Sequence, residues 1–119
     1  AFMAADLFVF ASNIEYSPFV LFESAAAGTP FLTVDVGNSA EISKWMGAGI
    51  MCPSKKDNKG YTRVDEGELA DLMEGFLSQK DRLRKLGEIG KQNWNEKFTW
   101  EKIADHYEQL FFKLKANRN

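Results

Sequence analysis

Two short apolar runs, Leu7–Ala11 and Phe31–Val34, bracket a segment that opens at Pro18 and closes on Gly28-Thr29-Pro30. That arrangement constrains the fold more than any other feature. Neither run alternates with polar residues, which is the pattern of a strand buried on both faces in a parallel sheet. Parallel neighbours need a long crossover, and Pro18–Ala27, largely apolar and ending in three alanines, has the composition of a helix. Ser17 is placed to cap it, and Pro18 suits the first helical position. Gly28 can take the left-handed conformation that ends a helix, and Pro30 prevents continuation. Asp35–Ser39 reads as a loop, Ala40–Met46 as a short helix and Gly49–Cys52 as a third strand. The expected fold is α/β, a partial Rossmann-like parallel sheet of about three strands with helices, about half of a six-stranded doubly wound domain.

Downstream the chain turns helical. Ser54–Gly60 is polar and charged and reads as a mobile surface loop. Asp65 and Glu68 have capping-box spacing ahead of Leu69, Leu72, Met73, Phe76 and Leu77. Ser78 and Asp81 resemble a weaker cap for a helix running to about Asn95. Thr99 caps the last helix, and Phe98 and Ile103 have the spacing of a hydrophobic staple. Ile103, Tyr107, Leu110, Phe111 and Leu114 form one apolar stripe on that helix, which reads as core packing.

Composition narrows the partners. Of 119 residues 45% are hydrophobic, enough for a packed core, and the formal net charge of −2 carries no basic signature of a nucleic-acid binder. Pro18–Val34 is interrupted by Glu23, Gly28 and Pro30, so it does not make a membrane span of the usual ~20 apolar residues. The single cysteine, Cys52, excludes an internal disulfide and fits a reducing, cytoplasmic setting. The chain begins at Ala1 and enters a strand almost at once, so it is expected to be cut from something longer.

The chemistry concentrates in Glu15–Glu23. Glu23 falls in a helix among Val20, Leu21, Phe22 and alanines, where an unpaired carboxylate is costly to bury. It therefore faces a cleft, a partner or solvent; the plainer alternative is a partly exposed Glu with a local Lys or Arg. Glu15 stands in the loop before, with seven residues between the two. Such a pair can bind hydroxyls, ligate a metal or do acid–base work. Metal is the weaker option, because there is no Asp-x-Asp pair and the lone His106 belongs to the polar face of a distant helix. The helix start at Ser17-Pro18-Phe19 presents free N–H groups, those of Phe19 and Val20 included, and such an end favours phosphate.

Glu15 through Glu23 resembles the E-x7-E motif of the retaining family 4 (group 1) glycosyltransferases of the GT-B fold. The flanks are similar too. Ala5-Asp6-Leu7-Phe8-Val9-Phe10-Ala11-Ser12 resembles "ADLFVFPS", Glu23-Ser24-Ala25-Ala26-Ala27-Gly28-Thr29-Pro30 resembles "EAMAAGTP", and Asp35-Val36-Gly37-Asn38-Ser39-Ala40-Glu41-Ile42 resembles "DVGGIPEI". Phe98-Thr99-Trp100 looks like the "FSW" that opens the family's last helix. The resemblance covers nearly the whole chain.

It implies that residues 1–119 form the C-terminal portion of a nucleotide-sugar-binding domain, the acceptor domain and the first half of the donor domain being absent. By the same resemblance, Glu23 holds the ribose hydroxyls and Glu15 those of the transferred sugar. Backbone near Ser17, Phe19 and Val20 meets the diphosphate, while Gly37 and Asn38 lie near the cleft. Glu41 reads equally well as the partner of Asn38 in a capping-box-like turn. The implied reaction transfers a hexose from a nucleoside diphosphate sugar to a carbohydrate or lipid-linked acceptor with retention, with neither metal nor cofactor. One departure stands out: Tyr16-Ser17-Pro18 replaces the family's frequent Gly-Phe-Gly, which favours a rival reading as a non-catalytic α/β nucleotide- or protein-binding module. A GT-B epimerase is a further rival, against which the tail motif speaks. Without its missing half the chain is expected to bind donor weakly, to be inactive and to self-associate.

Overall fold

The computed structural model describes residues 1–117. A 3-10 turn at Phe2–Ala4 leads into β1 (Phe8–Phe10), then α1 (Phe19–Ala26), β2 (Phe31–Thr33), α2 (Ser39–Met46) and β3 (Gly49–Met51). A hairpin follows, β4 (Ser54–Lys56) and β5 (Thr62–Val64), and then three helices, α3 (Glu66–Leu77), α4 (Lys80–Lys97) and α5 (Trp100–Ala116). Strands β1, β2 and β3 form one parallel sheet in that order, with Phe8 opposite Phe31 and Phe31 opposite Gly49. The mixed α/β arrangement is that expected of part of a Rossmann-like GT-B domain. Each strand is a residue or two shorter than its apolar run.

The missing polar alternation has the expected cause, since both faces of the sheet are covered. Phe31 joins Leu21, Ala25, Ile42 and Met46 under α1 and α2, while its neighbour Leu32 joins Val34, Val36 and Cys52 on the opposite face, against Leu69, Leu72 and Met73 of α3. Successive strand residues point to opposite faces. Burying Phe31 and Leu32 completely stabilises the fold by roughly 1.5–3 kcal/mol each.

Helix α4 comes close to the sheet layer through glycine. A Cβ at Gly87 would lie 2.0 Å from the Gly28 carbonyl oxygen, and one at Gly90 would lie 2.5 Å from Ala48 Cβ. Further along, Asn93 Nδ2 donates to Met46 O at 2.9 Å and so closes the last turn of α2.

Several local expectations need correction. Ser17 does not cap α1; the carbonyl of Pro18 accepts the first helical bond, from Leu21 N–H, so Pro18 itself is the N-cap. Ser78 ends α3 instead of starting α4, because its N–H bonds back to Glu74 O and its hydroxyl to Gly75 O; Gln79 is the N-cap of α4, which extends to Lys97. The segment Ser54–Gly60, expected as a mobile surface loop, is instead a strand and an ordered turn of a hairpin. Its first residues form β4, and Asp57 organises the turn by accepting from Lys59 N–H at 2.9 Å and Tyr61 N–H at 3.0 Å, with Gly60 at φ +81°. The stripe on α5 is not core. Tyr107, Leu110, Phe111 and Leu114 are all exposed, because beyond Ile103 the helix runs past the body, packing chiefly on α4 near its start. The caps at Asp65 and Thr99 are as expected, accepting from Glu68 N–H and Lys102 N–H.

Candidate functional site

The carboxyl ends of β1 and β2 open into two loops, residues 11–18 and 34–38, and most of the candidate residues lie there. Parallel α/β sheets bind ligands at this edge because the loops and helix N-termini converge on it. Glu15 is partly buried, and its Oε1 accepts from Ser12 Oγ at 3.2 Å. Tyr16 is almost fully exposed, and its carbonyl accepts from Asn38 N–H at 3.0 Å. Gly37 lies so close beneath the first loop that a Cβ there would be 2.9 Å from Glu15 O and 2.4 Å from Tyr16 O. Its φ of +54° reinforces the need for glycine.

The second loop is pinned by Ser39, whose fully buried hydroxyl donates to Val34 O and accepts from Val36 N–H at 3.0 Å. Asn38 is the N-cap of α2 but makes no side-chain cap bond. The capping-box alternative for Asn38 and Glu41 therefore falls. Instead Asn38 Oδ1 is buried with no protein partner among the described residues. A buried acceptor without a donor is costly.

Helix α1 begins beside these loops. The N–H groups of Phe19 and Val20 precede its first backbone bond, and among the described residues neither donates to a carbonyl. They are the orphan donors that every helix start carries, next to the positive end of the helix dipole. Ser17, the residue before Pro18, is exposed.

Glu23 stands apart from Glu15. It is exposed on the second turn of α1 and lines an open groove with Phe19, Phe22, Ala26, Trp94, Phe98, Trp100 and Ile103. Glu15 is not among that groove's walls, so the structure brings Glu15, Gly37 and Asn38 together and sets Glu23 further along α1. Among the described residues Glu23 has no salt bridge, and the local Lys or Arg of the plainer alternative is not found. The groove wall is aromatic: Phe22 and Phe98 are 5.2 Å apart by ring centroids, and Trp45, outside the wall, stacks on Phe98 at 5.8 Å.

Residues outside the sequence expectations complete the site's frame. Thr62 of β5 bonds to Asn13 in the first loop and to Asp35 in the second, and Lys56 of β4 bonds to Thr62 and Asp35. Nothing in their spacing signals this, since the bonds to the loops end on backbone oxygens 21 to 49 residues away. No helix among the described residues is long and apolar enough to cross a membrane.

A parallel sheet with two loops at its carboxyl edge and a helix start with free amides beside them is the arrangement of an open α/β domain. Residues 1–93 match the family described as Glycosyl transferases group 1. The chain belongs to the group 1 glycosyltransferases. It is 28% identical over 114 residues to the alpha-maltose-1-phosphate synthase of Mycolicibacterium smegmatis, covering 95% of this chain and 28% of that protein. It is also 28% identical over 110 residues to the N-acetyl-alpha-D-glucosaminyl L-malate synthase of Bacillus anthracis, covering 92% of this chain and 26% of that protein. The chain thus spans about a quarter of the length of these relatives. No solved structure matches it.

Proposed function

We propose that this chain is the C-terminal portion of the nucleotide-sugar-binding domain of a retaining GT-B glycosyltransferase, and that the full-length enzyme transfers a hexose from a nucleoside diphosphate sugar to a carbohydrate or lipid-linked acceptor. The observation that carries this reading is the start of α1, where the unbonded N–H groups of Phe19 and Val20 are flanked in sequence by Glu15 and Glu23, all within the segment matched to the family.

In this reading the diphosphate sits at the α1 N-terminus. Negative charge grows on it as the glycosidic bond to the sugar breaks, and fixed backbone donors stabilise that charge without reorganising. Glu15 and Asn38 hold the sugar hydroxyls, and Glu23 holds the ribose. The carboxylates position the donor; they do not work as the acid–base pair of a glycosidase. No metal is needed for these roles. Both relatives are named for α-configured products, which an α-configured donor gives with retention.

The non-catalytic module remains the second reading, favoured by Tyr16-Ser17-Pro18, which puts an exposed aromatic where the family often has glycine. One experiment separates the two. The full-length enzyme is offered UDP-, GDP- and ADP-linked hexoses, and product configuration is read by NMR. Transfer with retained configuration that is lost in Glu23→Ala supports the enzyme; release of neither nucleotide nor sugar from any donor supports the module.

In isolation the chain is expected to self-associate. Among the described residues β1 has β2 on one side only, and free strand edges invite pairing with another chain. The exposed α5 stripe adds apolar surface. A monodisperse monomer in sedimentation would refute this.

A further inference from the structure

The hairpin β4–β5 does more than cross the surface after β3. Its strands lie beside the two candidate donor loops and bond to both. Thr62 N–H donates to Asn13 O at 2.8 Å, two residues before Glu15. With its amide oriented to satisfy both neighbours, Asn13 returns a bond to Thr62 O at 2.9 Å and accepts from Arg63 Nη1 at 3.3 Å. On the other side, Thr62 Oγ1 donates to Asp35 O at 2.9 Å, two residues before Gly37. Lys56 Nζ joins the same junction, donating to Asp35 O at 2.8 Å and to Thr62 Oγ1.

Thr62 is buried although the rest of the hairpin is largely exposed. A polar side chain is buried at little cost only when its hydrogen bonds are met; here Asp35 O of the second loop and Lys56 Nζ meet those of the hydroxyl, while the Thr62 backbone meets Asn13 of the first loop. Those loops already touch through Asn38 N–H and Tyr16 O. Thr62 closes a triangle: first loop to hairpin, hairpin to second loop, second loop back to first.

We propose that Thr62 is a positioning residue for the nucleotide-sugar donor, and that the β4–β5 hairpin is the clamp that fixes the spacing between the Glu15 loop and the Gly37–Asn38 loop. This rests on the reading of those loops as the donor site. The substrate class it serves is the nucleoside diphosphate hexose, whose hydroxyls must meet groups from both loops at once. Misplacing one loop by an ångström weakens such convergent contacts steeply. The hairpin contributes no atom to the reaction; it sets where the binding groups stand.

The test uses Thr62→Val, which keeps the shape and removes the hydroxyl, and Thr62→Ser, which restores it. In the full-length enzyme, with the UDP-, GDP- or ADP-linked hexose that the wild type turns over, Thr62→Val is expected to raise donor KM on the order of tenfold. Acceptor KM stays unchanged, and Thr62→Ser returns donor KM close to wild type. Equal effects on donor and acceptor, or no rescue by serine, would overturn the proposal. Amide hydrogen exchange without substrate separates this claim from the donor assignment. Faster exchange at Asn38 and across residues 12–17 in Thr62→Val supports the clamp, even if the wild type turns over none of the donors, in which case the donor assignment alone falls. Wild-type exchange rates in Thr62→Val overturn the clamp whatever the donor does.

Discussion

The backbone N–H of Asn38 donates to the carbonyl oxygen of Tyr16 at 3.0 Å, so the loop after β2 hangs directly on the loop after β1. Gly37 makes that approach possible. A Cβ there would lie 2.4 Å from the same oxygen, at a backbone φ of +54°. Gly37→Ala is therefore expected to push the loops apart. Overpacking costs about 1–3 kcal/mol, and the left-handed backbone adds about 1–2 kcal/mol. Urea denaturation should show the loss, and donor KM in the full-length enzyme should rise with it. Wild-type values of both would mean that the loops are not held as described.

Gly87 tests packing away from the site. Its Cβ would meet Gly28 O at 2.0 Å, a backbone atom with little room to yield. Gly87→Ala gains helix propensity of about 1 kcal/mol but forces α4 off the turn that closes α1. The net expectation is a loss of about 1–2 kcal/mol, within the range for overpacked cores. Thermal unfolding measures it, and a stabilised variant would show that α4 sits further out.

The hairpin should be acid-sensitive. Burial opposes ionisation of Asp57, but the N–H of Tyr61, the Arg63 guanidinium at 2.9 Å and the N–H of Lys59 outweigh it, and the carboxyl is held below its ordinary 3.8. A carboxylate with a lowered folded pKa contributes stability that is fully present above the unfolded value. That contribution is lost as pH falls through the folded value. Protection of the Lys59 and Tyr61 amides should thus persist down to about pH 4 and fade below it. Asp57→Asn should remove this acid step, and an unchanged step in that variant would assign it to other groups.

The sheet was legible because its signal is local. Leu7–Ala11 and Phe31–Val34 are apolar on both faces because helices cover both faces, and Gly28 and Pro30 mark the turn between them. The caps at Asp65 and Thr99 were legible for the same reason, each bonding three residues ahead. The hairpin was not, because Ser54-Lys55-Lys56 and Thr62-Arg63-Val64 carry no apolar alternation and are held by backbone and Asp57 bonds. The α5 stripe misled in the opposite sense. Helical periodicity records which residues want cover, and Tyr107, Phe111 and Leu114 have the period without the cover. At the site, Glu15 and Glu23 stood out as carboxylates beside a helix start. The glycine contact beneath Tyr16 and the orphaned Asn38 Oδ1 depend on how two loops meet, which no spacing within either one records.

The central claim is that Glu23 holds the nucleotide's ribose and Glu15 the transferred sugar, and titration calorimetry on the full-length enzyme separates the two roles. Each variant is titrated with a nucleoside diphosphate and with the matching nucleoside diphosphate hexose. A hydrogen bond to a charged group contributes about 1.5–3 kcal/mol, roughly ten- to a hundredfold in Kd. Glu23→Ala is predicted to weaken both ligands by that factor, whereas Glu15→Ala weakens only the sugar-linked one and binds the plain diphosphate like wild type. If Glu23→Ala binds both ligands as tightly as the wild type, the donor site does not lie where this account puts it.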